Sequence, residues 1–303
     1  MKLYVLLLAT WTSISVFACD VCGGITAPGT QGLLPGNAYH YIGFSQSYSR
    51  FYSTHPGQLN GEDLYTNEHF LRSNLAARWQ FSSRFNSIIE IPVSYNLQTS
   101  EHETSYKTGL GDIKCSFNQI AIKKESKEED KNIVFQYGIG IKLPSGTYSR
   151  DAWESSNLYP GSGSFDYYTN TNLVYRKGKV GFLQENNFTM KGINRSGYKF
   201  GNSALSRFAV FYKITNDNGG IFLPSLGFSY LYTGTDEISG IDVAYLFNSG
   251  HLVSTEVGLN LLIPQWMFKA KCSLPTYQIM GNGDVNSRGS IELGIHYLIE
   301  KKK

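Results

Sequence analysis

Charge and cysteine are both scarce in this chain. Of its 303 residues only 17% are charged, the formal net charge is +3, and four residues are cysteine. A chain without a strongly basic face is not expected to bind nucleic acid, and four cysteines are too few for a disulfide scaffold of this length. Beyond the N-terminus no segment approaches the roughly 18 uninterrupted apolar residues of a membrane-spanning helix. A polytopic helical membrane protein is therefore excluded.

Tyrosine, phenylalanine and glycine are abundant instead, with 21, 18 and 31 residues. The two aromatic types favour strands, and glycine favours tight turns. After Gly36 the chain divides into segments of about ten residues in which apolar and polar side chains alternate. From Ile89 to Leu97 every second residue is apolar, whereas Glu90 and Asn96 fall on the opposite face. This period of two predicts a protein built of β-strands.

The N-terminus has the features of a secretory signal. Lys2 is followed by an apolar stretch from Leu3 to Val16, and Ala18 precedes Cys19. We expect residues 1–18 to be a signal peptide that is cleaved before Cys19, with lipid attachment to Cys19 as the alternative. The sequence therefore predicts an exported protein.

Connections between the predicted strands alternate between short and long. Residues 82–84 and 264–265 are typical of the short ones, and residue 123 to residue 131 is a charged connection of middle size. Short turns on one rim and long loops on the other are typical of a bacterial outer-membrane barrel, in which an even strand count returns both termini to the periplasm. A soluble β-sandwich is the alternative that this asymmetry disfavours. The predicted long loops are 53–63, 99–108, 145–164, 192–201, 234–250 and 276–287.

The predicted fold is all-β: a transmembrane antiparallel β-barrel of twelve strands over residues 37–300, with short periplasmic turns and longer outer loops. Residues 237–249 are assigned to an outer loop over the mouth, and residues 301–303 to a C-terminal tail. Pro224 interrupts the alternation of apolar and polar residues in the ninth strand. The predicted strands are 38–51, 65–81, 87–98, 110–123, 132–144, 165–176, 180–191, 203–214, 221–233, 251–263, 266–275 and 288–299.

Four glycine-containing motifs follow one another along these strands. They are Thr108-Gly109-Leu110-Gly111-Asp112, Leu143-Pro144-Ser145-Gly146, Gly161-Ser162-Gly163-Ser164-Phe165-Asp166 and Gly197-Tyr198-Lys199-Phe200-Gly201-Asn202. In this order they resemble the outer-membrane β-barrel family of meta-pathway phenol degradation transporters, which is distantly similar to the long-chain fatty-acid channels. The mature start, Cys19-Asp20-Val21-Cys22-Gly23, resembles a Bacteroidetes branch of that family, although Gly24 stands where that branch often has a third cysteine. The resemblance covers nearly the whole mature chain and implies passage of small, in part hydrophobic, molecules across the outer membrane.

The polar phase of the strands carries seven basic and six acidic side chains. Strong selectivity for anions or cations is therefore not expected. These charges either pair and hold the barrel rigid or line a wet path. In so narrow a barrel structural pairing is favoured, above all for Arg72 and Arg78 with Glu90. The predicted lumen-lining residues are Arg72, Arg78, Glu90, Asp112, Lys114, Lys142, Glu185, Arg207, Glu256, Lys269, Lys271 and Glu292, with Asp166 on the same phase.

Residues 19–36 precede the first strand and have no strand pattern. They form either a periplasmic tail or a plug inside the barrel, for which Cys19, Cys22, Leu33 and Leu34 are the candidate residues. The C-x-x-C spacing of the two cysteines favours a local disulfide in the oxidising periplasm. Two thiolates are an incomplete zinc set, and copper(I) capture is a further alternative. We predict no metal site and no cofactor.

Two expectations concern the lipid-facing side of the wall. Cys115 and Cys272 fall on the outward phase, and we expect them to be unbridged. Pro92 and Pro224 cannot donate hydrogen bonds to a neighbouring strand, so each marks a place where a hydrophobic molecule could leave sideways.

The predicted function is an outer-membrane channel for passive uptake of small molecules, with hydrophobic or aromatic compounds implied by the resemblance. Passage would be gated by residues 19–36 below and residues 234–250 above. Outer-membrane lipid and a small-molecule substrate are the expected partners. A lipid-modifying enzyme is the alternative, because His251 lies beside Ser249 near the outer rim. Catalysis needs a base within hydrogen-bond reach of the serine and a third orienting group, and since no such motif is present, an enzyme is not predicted.

Overall fold

Twelve long strands form one antiparallel sheet that closes on itself. The computed structural model describes residues 39–59, 62–126, 128–150, 156–217, 219–238, 241–242 and 249–300. The sheet closes because β1 (Tyr39–Leu59) pairs with β17 (Val285–Glu300). The predicted twelve-stranded barrel is confirmed. The predicted signal peptide, the candidate plug with Cys19, Cys22, Leu33 and Leu34, and the predicted C-terminal tail lie outside the described residues.

Around the barrel each wall strand pairs with its neighbours in the chain. Two short strands, β4 (Thr104–Leu110) and β5 (Lys114–Ser126), together make the fourth wall strand, and β11 (Ile214–Thr215) continues β10 (Ser203–Tyr212). The wall strands between β1 and β17 are β2 (Glu62–Gln80), β3 (Phe85–Ser100), β4 (Thr104–Leu110), β5 (Lys114–Ser126), β6 (Lys131–Lys142), β7 (Asp166–Lys177), β8 (Val180–Met190), β10 (Ser203–Tyr212), β11 (Ile214–Thr215), β12 (Ile221–Thr233), β15 (Gly250–Ile263) and β16 (Trp266–Met280). Among the described residues no helix is long and apolar enough to cross a membrane.

The predicted alternation decides which side chains face out. On β2, Trp79 and Leu75 are 61% and 49% exposed, whereas Ala76 and Arg78 between them are 1% and 5% exposed. Outward residues from Trp79 to His69 span ten positions, and ten residues of tilted strand rise about 25 Å along a barrel axis. That is the height of the apolar band on outer-membrane barrels.

Three of the predicted long loops are wrong: residues 53–63, 99–108 and 276–287. The strands run on beyond the apolar band as hairpins, so only residues 60–61, 101–103 and 281–284 connect them. Beyond the band the backbone ladder continues with polar and aromatic pairs, such as Tyr52 stacked on Tyr65 with ring centroids 6.0 Å apart. The loss of apolar alternation therefore marks the end of the band and not the end of the strand.

The predicted strand 110–123 is divided by a bulge. Leu110 pairs with Val93 and Lys114 pairs with Glu90, so three residues of one strand oppose two of the other. Pro92 lies in this gap, and its carbonyl accepts a hydrogen bond of 2.8 Å from Gly111 N. A proline without an N–H fits where the ladder is interrupted. Pro224, in contrast, lies in the continuous strand β12 opposite Leu259.

Two outer loops pair above the mouth. β9 (Tyr198–Lys199), β13 (Glu237–Ile238) and β14 (Ile241–Asp242) form a small three-stranded sheet. Tyr198, Phe200 and Ile238 make its apolar cluster, and Lys199 forms an ion pair of 2.7 Å with Glu237. We call this sheet the outer cap. Residues 239–240 and 243–248 of the same loop lie outside the described residues.

Candidate functional site: the barrel lumen

A belt of alternating charges surrounds a cavity inside the barrel. The cavity has a volume of about 280 Å³. Nine of the twelve predicted lumen-lining residues line this cavity, and Asp166 lines it as well. The charged residues that line it are Arg72, Glu90, Asp112, Lys114, Lys142, Asp166, Lys191, Arg207, Glu256, Lys271 and Glu292.

The other three predicted residues also point inward. Glu185 bonds Arg207 at 2.9 Å and Lys269 bonds Glu292 at 2.9 Å, so both lie at the edge of the belt. Arg78 lies nearer the periplasmic rim, where it donates to Gln80 Oε1 at 2.7 Å. The structural pairing of Arg72 and Arg78 with Glu90 stays a prediction.

Within the belt the charges are held in ion pairs that join different strands of the wall. Arg207 on β10 contacts Glu185 on β8 at 2.9 Å and Glu256 on β15 at 2.7 Å. Glu292 on β17 accepts from both Lys269 and Lys271 of β16, at 2.9 and 3.1 Å. Because these groups are nearly solvent-free, each depends on its partner to compensate the cost of burial. The belt is thus a fixed lining.

A second cluster ties the long loop after β6 to the wall. Lys142 contacts Asp112 Oδ2 at 2.9 Å and Asp166 Oδ2 at 2.7 Å, and it also bonds Ser162. Asp112 accepts backbone hydrogen bonds from Gly146 N at 2.9 Å and Ser162 N at 2.8 Å. We call Asp112, Lys142, Ser162 and Asp166 the loop anchor. Three of the four motifs seen in the sequence meet here.

Glycine is required at the point where these motifs touch. A Cβ on Gly146 would lie 2.6 Å from the carbonyl carbon of Gly111, and one on Gly161 would lie 2.8 Å from the Cα of Gly146. Real Cβ atoms do not approach backbone so closely. The three glycines therefore let the loop after β6 lie directly against the bulge at Pro92.

The lumen is apolar above and below the belt, which the sequence did not predict. The outer cluster consists of Phe51, Phe70, Leu231, Leu252, Met280 and Val285, each at most 8% exposed. Two clusters fill the periplasmic end, and Leu262 packs against both of them. We call their buried members the periplasmic floor: Tyr41, Ala76, Met267, Leu298, Val174, Leu183, Phe211 and Leu223. The signal in the sequence that could have predicted the periplasmic floor is the presence of apolar residues on the inward phase of the strands next to the short turns.

The rim histidine proposed for an enzyme has another partner. His251 Nδ1 lies 2.7 Å from the hydroxyl of Tyr230. The imidazole ring stacks on Tyr230 with centroids 5.9 Å apart and contacts Tyr232 in a tilted arrangement at 5.2 Å. The hydroxyl of Tyr230 is thus the hydrogen-bonding partner of this imidazole nitrogen. Cys115 and Cys272 are free thiols. In the described part of the chain no three His, Cys, Asp or Glu residues are grouped as metal ligands.

Solved structures with a similar fold are outer-membrane proteins. The COG4313 outer membrane channel from Pseudomonas putida F1 has a TM-score of 0.62 and 13% identity, over 91% of this chain and 100% of that chain. The translocator domain of the autotransporter NalP from Neisseria meningitidis has a TM-score of 0.45 and 8% identity, over 87% and 90%. The NanC porin has a TM-score of 0.42 and 11% identity, over 83% and 98%. No family model matches the sequence, and no curated protein matches it significantly. The likeness to the COG4313 channel shows that the chain has the fold of an outer-membrane β-barrel.

Proposed function

We propose that this protein is an outer-membrane channel for passive uptake of small molecules, in particular hydrophobic or aromatic ones that leave the cavity sideways at the Pro92 bulge. The exposed apolar band on the wall supports a membrane location, because so much exposed apolar surface needs lipid around it. The order of the four motifs supports kinship with phenol-degradation transporters. Aromatic compounds are therefore the substrates to test first.

The observation that carries the proposal is that packed side chains close the cavity below, whereas the strand ladder beside it is interrupted. At its periplasmic side the lumen is filled by the periplasmic floor, in which Tyr41 is 2% and Met267 is 5% exposed. At its side, the cavity is lined by Pro92, Asp112 and Pro160 next to the bulge. A molecule in the cavity thus meets packed side chains below and an interrupted ladder beside it.

The composition of the cavity also favours amphipathic aromatic molecules. Its outer part is apolar, with Phe51, Leu231 and Leu252, whereas the belt beneath supplies fixed hydrogen-bonding groups. A ligand pocket of this kind holds an apolar body and orients it through a few polar contacts. A phenol-like molecule has both features.

The native cysteines allow a direct test of the side exit. Cys115 lies opposite Ile89 in the ladder just below the bulge, so Ile89→Cys creates a thiol that can form a cross-strand disulfide with it. With Cys19 and Cys22 replaced by serine, we expect oxidation to reduce influx of the apolar probe N-phenylnaphthylamine into cells carrying the protein. Reduction with dithiothreitol should restore the influx.

The matched control uses the other native cysteine. Cys272 lies opposite Val257 in the ladder between β15 and β16. Val257→Cys therefore allows a cross-strand disulfide with Cys272 at a place where the two strands are paired. Influx should be insensitive to oxidation of this variant. Equal influx through the oxidised and reduced Ile89→Cys protein would exclude the side exit, and equal loss in both variants would point to a general effect of cross-linking.

A further inference from the structure

Polar side chains lie on the outer surface of the barrel where lipid is expected. The outward positions of β8 are Val180, Phe182, Gln184, Asn186, Phe188 and Met190, and the middle two are amides. In the ladder Asn186 lies opposite Thr171 on β7 and opposite Ser206 on β10. We call Thr171, Gln184, Asn186 and Ser206 the polar patch.

The members of the polar patch are hydrogen-bonded to one another. Gln184 Nε2 donates to Asn186 Oδ1 and to Ser206 Oγ, each at 3.0 Å. Ser206 Oγ donates to Asn186 Oδ1 at 2.9 Å, and Asn186 Nδ2 donates to Thr171 Oγ1 at 2.9 Å. These bonds use both hydrogens of the Gln184 amide but only one hydrogen of the Asn186 amide. Within the described residues, Gln184 Oε1 and the second Asn186 N–H have no partner.

Large apolar side chains surround the polar patch. Phe182 and Phe208 stack below it with centroids 5.9 Å apart, and Phe188 above it is 44% exposed. The acceptor and the donor without partners therefore lie in the middle of the apolar band. Acyl chains offer neither a donor nor an acceptor, so lipid leaves both groups unsatisfied.

We propose that the polar patch is the contact between two copies of this chain related by a two-fold axis. An unused acceptor beside an unused donor is self-complementary: Gln184 Oε1 of one copy accepts from Asn186 Nδ2 of the other, and the reverse bond forms by symmetry. A two-fold interface places the same residues on both sides, as this pairing requires. The patch carries no charge, which favours a like surface over a charged partner. The surrounding aromatic residues pack as the apolar part of the contact.

The association of labelled protein in lipid vesicles tests this contact. Donor- and acceptor-labelled protein is diluted into phosphatidylcholine vesicles, and energy transfer is followed against the protein-to-lipid ratio. We expect the double variant Gln184→Leu with Asn186→Leu to weaken association by about tenfold or more, since each copy loses two hydrogen bonds to the other. Folding of each variant is checked by the shift of the unboiled protein on a denaturing gel.

The chain offers a matched control on the opposite wall. Gln46 on β1 also points outward and is exposed, and β1 lies six strands from β8 around the barrel. Gln46→Leu should leave association unchanged. Association that is absent in the wild type, or that is equal in the wild type and the double variant, would overturn the proposal.

Cross-linking locates the interface independently. In a background with the four native cysteines replaced by alanine, Phe188→Cys lies beside the polar patch and Phe44→Cys lies on the opposite wall. Oxidation should give a covalent dimer only from Phe188→Cys. A dimer formed equally by both variants would indicate random collision and would contradict the two-fold contact.

Discussion

At the residue scale, Lys142 is the side chain on which the loop anchor depends. Asp112 and Asp166 are 5% and 2% exposed, and both form an ion pair with the same ammonium group. Removing one partner of a buried ion pair leaves an uncompensated charge and costs about 3–5 kcal/mol. Lys142→Met should lower the free energy of unfolding by that amount, measured by urea denaturation in lipid vesicles.

The control for this substitution is Lys177→Met. Lys177 ends β7 at the periplasmic rim and is exposed, so its loss should change the free energy of unfolding by no more than about 0.5 kcal/mol. Equal destabilisation by the two variants would mean that Lys142 acts through its general charge and not through the two aspartates.

Side-chain direction could be predicted from the sequence, but the packing inside the lumen could not. The period of two places Arg207 and Glu256 on one face because successive side chains of a strand alternate. It does not indicate that Arg207 reaches Glu256 across β12, nor that Met267 meets Tyr41 at the floor. Those contacts depend on the shear and closure of the barrel, which bring together residues far apart in sequence.

At the scale of elements, the contact between the loop after β6 and the bulge rests on backbone approach. Gly146→Ala places a methyl group against Gly111, whose backbone has little freedom to move. We expect a loss of about 1–3 kcal/mol in folding stability, typical of overpacking. Limited proteolysis should also cut residues 143–165 faster, since the loop is displaced from the wall.

Gly234→Ala is the matched change in another outer loop. The nearest atom to a Cβ at Gly234 is Asn202 O at 3.4 Å, which is an ordinary contact distance. The Gly234→Ala protein should match the wild type in its rate of proteolysis and in its free energy of unfolding. If Gly146→Ala behaves in the same way, the close approach of the three glycines is not what positions the loop.

The wall strands were predictable, whereas their outer ends were not. Alternation between apolar and polar residues reports contact with lipid, so it located all twelve strands within the apolar band. It vanishes where the hairpin of β1 and β2 leaves that band, although the ladder continues to Leu59 and Glu62. The alternation of apolar and polar residues on β3 continues unbroken past the bulge, which lies next to the Glu90–Lys114 pair. Pro92 was therefore the one feature of this strand's sequence that indicated the bulge.

At the scale of the whole molecule, the periplasmic floor fills the periplasmic end of the lumen. Met267 and Leu298 are both 5% exposed and meet in one cluster. Replacing both by alanine removes side chains that fill the lumen and should increase single-channel conductance in a planar bilayer. Ile42→Ala, on the outward face and 54% exposed, should leave the conductance unchanged. Equal conductance in all three proteins would mean that the floor does not restrict ion flow.

The pairing of β1 with β17, which closes the barrel, has a consequence for biogenesis. Tyr39 pairs with Glu300 and Ser53 with Val285, so the two strands that complete the cylinder are separated by nearly the whole described chain. Contacts between such distant segments form late, because the intervening chain must first be ordered. Until β17 arrives, β1 is an open edge that can capture a strand of another protein. An unfinished copy therefore exposes an unpaired strand edge, prone to aggregation, until β17 covers it.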